Sequence, residues 1–486
     1  LAPYFGSSLY VWATVLAITL GGLALGYFLG GVLSYRKKGP EVLYYVMIVA
    51  SLLVILMPFI SKFVLEFIGN RALIPSIIVS SLLFLLPPVF MMGMVSPLII
   101  RNITTDAEQA GKVAGAVYAI STVGGIIATF LTGFYIIPTF GLTMPSIITG
   151  IVLGIIPLLL VLRKFMFGAL VWVGIAGWAF WKNTRLDADV PGVKVQYMSE
   201  GLLGQLMIVD YPNYNKDGSV GEGINRMMFV NRITQTVYND RVDSMKYFSY
   251  IDYILTELED ESPGKKVLLC GLGGGSLATE LAQKGFQVDA CELDARIVYT
   301  ARTFFRLDSR VNVYVDDARH FIRTASEAYD IIVLDMFKGE ENPAHCFSVE
   351  AFDDMENILV PGGMIIINGN GFINGDRGKG MRAVAKSFAA AGFDVDLVPT
   401  YIREDWSNLV FFGRAKRSPQ PVVRIAKWEG DDKSFTELNL DEDVVMRDDR
   451  PVLDQLNLLA YVNWRKDAIT YFNNELQRGR RFPVFK

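Results

Sequence analysis

The chain has 486 residues, enough for two or three domains, and its hydrophobic content of 51% is high for a chain soluble throughout. A formal net charge of −4, with no basic stripe, excludes a nucleic-acid partner. Three cysteines (Cys270, Cys291, Cys346) without a CxxC pair argue against a disulfide framework or a zinc site. Two histidines, His320 and His345, supply little for His-based catalysis, so no metal is expected.

The apolar residues are concentrated before Lys182. A bilayer core of about 30 Å takes about 20 apolar helical residues, and the segments 9–34, 43–66, 73–100, 113–138, 142–162 and 165–181 qualify. Pro87 and Pro88 predict a kink in the third. Small residues (Gly21, Gly22, Gly26, Gly30, Gly31; Gly115, Gly124, Gly125) predict close helix packing. The one acidic residue inside a span, Glu66, lies at an edge, so the proton-relay pattern of a pump is missing. Leu1 in place of Met is read as processing or an upstream start, with a further upstream helix left open.

Orientation is contested within the sequence. Six spans put Leu1 and the C-terminal half on one side, while Arg36–Lys38, Arg101/Lys112 and Arg163/Lys164 fall on the other. The positive-inside rule then makes the C-terminal half extracytoplasmic. The last segment is short and carries Trp172, Trp178 and Trp181. Lying in the interface, it reduces the count to five and turns the soluble half inward.

From Lys182 the charge density is ordinary. Residues 195–240 read as β-structure: QLMIVDY and RMMFVNRITQTVY flank the turn-forming NYNKDGSVGEG. From 266 strands and helices alternate. The strand runs are 266–270, 287–292, 311–315, 330–335, 363–368, 393–398 and 408–412; the helical runs are 275–284, 294–305, 317–325, 347–359 and 378–391. This alternation predicts a mostly parallel sheet with helices on both faces and ligands at the carboxyl ends of its strands. Those ends carry Gly271, Glu292, Asp317 and Asp335. KVLLCGLGGGS (266–276) followed by VDACELD is the pattern of a Rossmann-type adenosine site, with glycines for close approach and Glu292 for the ribose. Taken singly, each has an ordinary alternative: a glycine turn, a solvated strand end, a helix cap at Asp316/Asp317, or an Asx turn at Asp335.

The fold class expected is an α-helical multi-pass membrane bundle fused to an α/β Rossmann-type, methyltransferase-like domain preceded by a small β-hairpin region. Its divisions are 1–181 for the bundle, 182–262 for linker and β region, 263–415 for the Rossmann-like domain, and 416–486 for a C-terminal extension.

Residues 200–370 resemble the spermidine synthase family of aminopropyltransferases. The whole chain is similar to that family's membrane-fused bacterial branch, through LAPYFGSSLYVWATVLAITLGGLALGYFLGG at the start, LLPPVFMMGMVSPLI (85–99), GAVYAISTVGGIIATFLTGFYIIPTFGL (115–142) and MRDDRPVLDQL (446–456). The resemblance implies binding of decarboxylated S-adenosylmethionine and transfer of its aminopropyl group to an amine. It gives Gly271, Gly273 and Gly275 the glycine-loop role and Glu292 the ribose. It gives Asp317 the adenine amine, and Gln235 and the earlier Gln205 the cofactor's edge. Asp335, in VLDMFKGEENPAH, becomes the aspartate that accepts a proton or holds the attacking amine, with Pro343 and Ala344 continuing the motif. The chemistry suits these residue types. The sulfonium leaves readily, so the protein aligns an amine and removes its proton with a carboxylate.

Departures from the family fall at Gly274, where an aspartate grips the cofactor's amine, and at Lys338, where a second aspartate holds the polyamine. A tyrosine expected after Gln235 is Tyr247 or Tyr250. Two alternatives to aminopropyl transfer therefore stand. One is an S-adenosylmethionine-dependent methyltransferase with a membrane-proximal acceptor; the other is a non-catalytic module that keeps the fold. The partners implied are the lipid bilayer and a small amine or polyamine acceptor, with a homo-oligomer or membrane-complex partner left open. The location implied is a bacterial inner membrane, with the soluble domain cytoplasmic because S-adenosyl cofactors are made there.

Overall fold

The computed structural model describes residues 1–5, 9–36, 39–68, 73–104, 106–183, 192–201, 203–214, 220–240, 249–400, 406–415, 420–429 and 432–471. They form two compact units, one of Leu1–Pro191 with Met198–Gln205, the other of Gly192–Tyr197 with Leu206–Phe472.

The first unit is helical: α1 (Ala2–Phe5), α2 (Leu9–Arg36), α3 (Glu41–Ile68), α4 (Leu73–Phe84), α5 (Leu86–Ile103), α6 (Ala110–Leu131), α7 (Ile137–Phe140), α8 (Thr143–Val161) and α9 (Met166–Asn183). Among the described residues, Tyr10–Tyr35, Glu41–Leu65, Leu86–Ile103, Ala110–Ile136 and Thr143–Val161 are helices long and apolar enough to cross a membrane. Ile74–Phe84 and Met166–Lys182 are apolar but shorter. The segment read from sequence as one kinked span, 73–100, is two helices broken at Leu85. Pro87 and Pro88 have no N–H to give to the carbonyls of Leu83 and Phe84, so the ladder stops. In the first turn of α5 the missing donors cost nothing.

Three glycines of α2, Gly22, Gly26 and Gly30, are packing glycines, while a Cβ at Gly21 or Gly31 meets nothing within 4 Å. A Cβ built on Gly26 would lie 2.4 Å from the Phe90 carbonyl oxygen and 2.9 Å from the Cα of Gly93, and one on Gly30 would lie 2.8 Å from the Cα of Met94. The backbones of α2 and α5 therefore touch, which only small residues permit. Helix α6 is different. None of its side chains is buried, and a Cβ at Gly115, Gly124 or Gly125 meets nothing within 4 Å. The expectation that these small residues pack helices together holds for Gly22, Gly26 and Gly30 of α2, and not, among the described residues, for Gly21, Gly31 or the glycines of α6. Between α3, α8 and α9 the contacts include polar ones, among them Ser146 Oγ donating to the Val54 carbonyl at 3.0 Å. The Trp172 indole donates to Ser51 Oγ at 2.9 Å, and Ser51 donates to the Gly150 carbonyl at 2.7 Å. A buried indole N–H is satisfied in this way without water.

Strands β1 (Lys194–Gly201), β2 (Gly204–Tyr214), β3 (Val220–Val230) and β4 (Ile233–Asn239) form a four-stranded sheet in chain order. The run RMMFVNRITQTVY divides at Asn231 and Arg232, whose φ values of 49° and 69° make a two-residue hairpin turn with Val230 paired to Ile233.

The second sheet has nine strands in the order β13-β12-β10-β11-β9-β8-β5-β6-β7. In chain order the elements are α10 (Ser249–Glu257), β5 (Lys266–Cys270), α11 (Ser276–Gln283), β6 (Gln287–Glu292), α12 (Ala295–Phe304), β7 (Asn312–Val315), α13 (Ala318–Thr324), β8 (Tyr329–Leu334) and α14 (Val349–Glu356). Then come β9 (Leu359–Phe372), α15 (Lys379–Ala390), β10 (Phe393–Pro399), β11 (Trp406–Ala415), β12 (Val423–Glu429), β13 (Asp432–Glu437), α16 (Leu453–Leu456) and α17 (Leu458–Tyr471). Strands β5 to β9 run parallel, and β11 is antiparallel to both its neighbours.

Both faces of this sheet are covered, and alternate residues serve each. Leu268, Cys270, Ile332, Leu334, Ile365 and Ile367 join one core; Val267, Leu269, Ile331, Val333, Met364 and Ile366 join the other. Each such side chain contributes about 1.5–3 kcal/mol by leaving water, and covering on both faces is why the strands read as continuous apolar runs. Two strands lie beyond residue 415. Segments 423–429 and 432–437, read from sequence as part of an extension, complete one edge of the sheet.

Candidate functional site

Strand order places β5 between β6 and β8, while the chain runs β5, β6, β7 and then returns to β8. The crevice at this reversal, beyond the carboxyl ends of β5 and β8, is where such sheets take ligands. The residues that follow these two strands are Gly271 and Asp335. Asp335 N donates to Cys270 O and Gly271 N to Cys291 O, both at 2.8 Å. Gly271 has φ +92°, and a Cβ there would lie 2.1 Å from the carbonyl oxygen of Asp335. No other residue type fits between the strands at this point. Gly273 and Gly275 also have positive φ, and Gly275 is the N-cap of α11.

Glu292 ends β6 and is buried. Its Oε2 accepts from Leu272 N at 3.0 Å and its Oε1 from Asp294 N at 2.9 Å, so the glycine loop and the acid are one hydrogen-bonded unit. Burial pushes the carboxyl up to about 7, against the pull of the Asp294 and Leu272 amides. The sign follows from linkage. A raised folded pKa gives stability that is present at low pH and is lost as pH rises through about 7.

Asp317 realises the plain reading of its position, capping α13. Its Oδ1 accepts from Arg319 N at 2.9 Å and His320 N at 3.1 Å. Its Oδ2 lies 3.3 Å from His345 Nε2, and its side chain remains 40% exposed. Capping and ligand contact are thus compatible.

Asp335 is the most constrained of the four. Tyr250 OH donates to its Oδ2 at 2.7 Å, and Asn368 Nδ2 donates to its Oδ1 at 2.8 Å. Asn368, on β9, accepts in turn from Asn408 Nδ2 on β11 at 3.0 Å. Burial raises the carboxyl above the ordinary range, opposed by the two hydrogen bonds. Of the two tyrosines left open by the sequence, Tyr250 makes this bond; Tyr247 lies outside the described residues.

The glutamines separate. Gln235, on β4, donates to the Gly339 carbonyl at 3.3 Å and so holds the loop that follows Asp335. Gln205, on β2, is buried, and its Nε2 donates to Met198 Sδ at 3.7 Å; it belongs to the first unit.

The two departures have visible neighbours. Gly274 N donates to Thr236 Oγ1 at 2.8 Å, and a Cβ at Gly274 would lie 2.5 Å from Thr236 Cγ2. An acid at 274 is therefore incompatible with Thr236 as placed. Lys338 and Glu341 close a two-residue turn, with Lys338 N donating to Glu341 O at 2.8 Å. Burial pushes the Glu341 carboxyl up to about 7, Asp454 adds to this and Lys338 opposes it. The lysine's charge thus faces carboxylates of the protein itself.

Sequence reading missed Thr236, Asn368 and the contribution of α17. The α17 side chain Arg465 donates Nε to Glu340 Oε1 at 2.8 Å and Nη1 to Asn231 O at 2.8 Å, and it also pairs with Glu340 Oε2. Tyr461 OH accepts from Asn342 N at 3.3 Å, and Trp464 meets Phe337 edge-on at 5.6 Å. Among the described residues, no group of three or more His, Cys, Asp or Glu is placed to hold a metal ion.

A doubly wound sheet with a glycine turn and successive acids at its reversal is an α/β domain of the class that takes ligands at that crevice. Residues 251–423 match the Spermine/spermidine synthase domain, which supports membership of the spermidine synthase family. It is 31% identical over 144 residues to a polyamine aminopropyltransferase from Vibrio vulnificus, covering 28% of this chain and 48% of that protein. It is 26% identical over 212 residues to a polyamine aminopropyltransferase from Thermoplasma volcanium, covering 41% and 75%. A solved spermidine synthase from Thermotoga maritima is similar at 17% identity with a TM-score of 0.37, covering 46% of this chain and 74% of that one. The chain spans about half the length of the Vibrio relative, 48%.

Proposed function

We propose that the chain is a membrane-anchored transferase that binds decarboxylated S-adenosylmethionine and moves its aminopropyl group to an amine. One observation carries this reading. Asp335, with its carboxyl raised by burial, is fixed by Tyr250 and Asn368 directly beside Gly271. A base must sit within reach of the amine proton and next to the electrophile, and raised basicity favours its task. The residues present suit the nucleoside: Glu292 for ribose hydroxyls, Asp317 for the adenine amine, and the 271–275 turn for close approach. When bound, the cofactor supplies the activated carbon. The protein holds the amine in line and accepts its proton at Asp335.

The second reading, methyl transfer from S-adenosylmethionine, is favoured by Gly274. With no acid there, the carboxylate of S-adenosylmethionine is not repelled. Calorimetric titration of the full chain in detergent with both cofactor forms separates the two. Tighter binding of the decarboxylated form supports aminopropyl transfer, and tighter binding of S-adenosylmethionine supports the alternative.

Glu292→Ala is expected to weaken methylthioadenosine binding by about 1.5–3 kcal/mol, because two charge-assisted bonds to ribose are lost. Equal affinity of variant and parent would remove Glu292 from the site. The ribose binds the ionised carboxylate, so parent affinity should be full above about pH 7 and fall by about tenfold per unit below it. The Glu292→Gln protein should lack this pH dependence.

We place the soluble domain in the cytoplasm on cofactor supply. Single cysteines introduced near Lys182 and near Lys38 and labelled from outside intact cells test this; the native thiols are buried and give little background. Labelling at neither site is the expected result for five crossings, which put both positions inside; labelling near Lys38 alone also leaves the domain inside, with six crossings. Labelling near Lys182 alone puts the domain outside, away from its cofactor, and makes a binding module the better reading.

A further inference from the structure

We propose that Asp448, in the near-terminal MRDDR stretch, is a positioning residue for Asp317; the inference rests on the nucleoside-binding reading above. The link between them is Arg319, two residues after Asp317 on α13, whose side chain is 7% exposed. Its donors are spread over three segments. Nε donates to Asp354 Oδ2 on α14 at 2.7 Å, and Nη1 donates to the His345 carbonyl at 2.6 Å. Asp448 takes the guanidinium with both oxygens, Oδ1 from Nη1 at 3.2 Å and Oδ2 from Nη2 at 3.1 Å. A planar fork held by both oxygens of a carboxylate is fixed in orientation as well as in place.

Asp448 is itself anchored. Ser348 Oγ donates to its Oδ1 at 2.5 Å, and Asp448 N donates to Glu350 Oε2 at 3.0 Å. Met446 is fully buried, its N–H donating to Ser387 Oγ at 2.7 Å and its carbonyl accepting from Val349 N at 3.0 Å. The 446–448 segment is thus tied to α14 and α15, and through Arg319 it fixes two sides of one ligand contact. One is the first turn of α13, whose cap is Asp317. The other is the backbone of His345, whose ring faces Asp317 Oδ2 at 3.3 Å. Removing the Asp448 charge leaves Arg319 one carboxylate partner, Asp354, which Arg323 already shares at 2.8 Å, beside the neutral His345 carbonyl. The guanidinium then has reason to move, and both sides of the contact move with it.

The test is titration of the full chain in detergent with methylthioadenosine, using Asp448→Asn alone and combined with Asp317→Asn. Asp448→Asn should weaken binding by about threefold to thirtyfold, and Asp448→Glu should recover most of the loss. In the Asp317→Asn background the Asp448→Asn change should cost nothing further, because it acts through that aspartate. A loss of equal size in both backgrounds, or unchanged affinity of the single variant, overturns the positioning role and leaves the nucleoside reading standing. Failure of the parent chain to bind overturns both. Should Asp448→Asn fail to fold, Ser348→Ala keeps the charge and loosens one anchor, and it must shift affinity in the same direction and only when Asp317 is present.

Discussion

Replacing Asp335 with asparagine is expected to lower turnover by about 10²–10⁴ while methylthioadenosine affinity stays unchanged. Asparagine has the same shape, and the surroundings can accept it. Its amide oxygen takes the bond from Asn368, and its amide nitrogen donates to the Tyr250 hydroxyl, which turns to accept. What disappears is the ability to take a proton or to hold an ammonium. In the parent protein the acid limb of kcat should lie above the ordinary carboxylate range, because burial favours protonated Asp335. That limb should be missing from the residual activity of the variant. Stopped-assay rates across pH for both proteins read the result directly. Unchanged turnover of the variant on its acceptor takes Asp335 out of the reaction.

Arg465→Met is the second change expected to be large. The ion pair with Glu340 is buried on both sides, at 5% and 4% exposure. Removing one partner strands a carboxylate away from water and costs about 3–5 kcal/mol. The loss should appear locally, in the loop 336–343, as a rise of about 10²–10⁴ in the opening equilibrium read by amide hydrogen exchange. Arg465→Met combined with Glu340→Gln should restore most of the protection, since no lone charge remains. Unaltered exchange in the single variant means that α17 does not hold the loop.

The sequence carried the alternating core of the second sheet because the two faces of β5, β8 and β9 are buried by neighbours within a short stretch of chain. The same locality made Gly271, Glu292, Asp317 and Asp335 legible, since each lies at, or within two residues after, the end of a strand. Contacts that bring distant segments together were not legible. Arg465 and the Asn231 carbonyl are 234 residues apart, and Arg319 and Asp448 are 129 apart. No periodicity encodes such pairs. Thr236 looked like an ordinary strand threonine, and only its approach to Gly274 gives the glycine a reason. In the apolar half the prolines gave the break but not its form, because a bent helix and two separate helices differ by a single residue, Leu85. The glycines of α2 and α6 read alike in sequence; only the neighbours of α2 tell them apart.

The brace on the Asp335 loop comes from residues near the end of the chain, and this sets an order of events during synthesis. Chains are made from the N-terminus and their parts fold as they emerge. The helical bundle, the glycine turn and Asp335 itself all leave the ribosome before Asp448, Tyr461 and Arg465 do. Until those arrive, Glu340 has no counter-ion, and the helix bearing Asp317 has lost a clamp. A partly made chain can therefore have its sheet formed and still lack the clamps on Asp317 and on the Asp335 loop. The brace on the loop is complete only once the chain has emerged through Arg465.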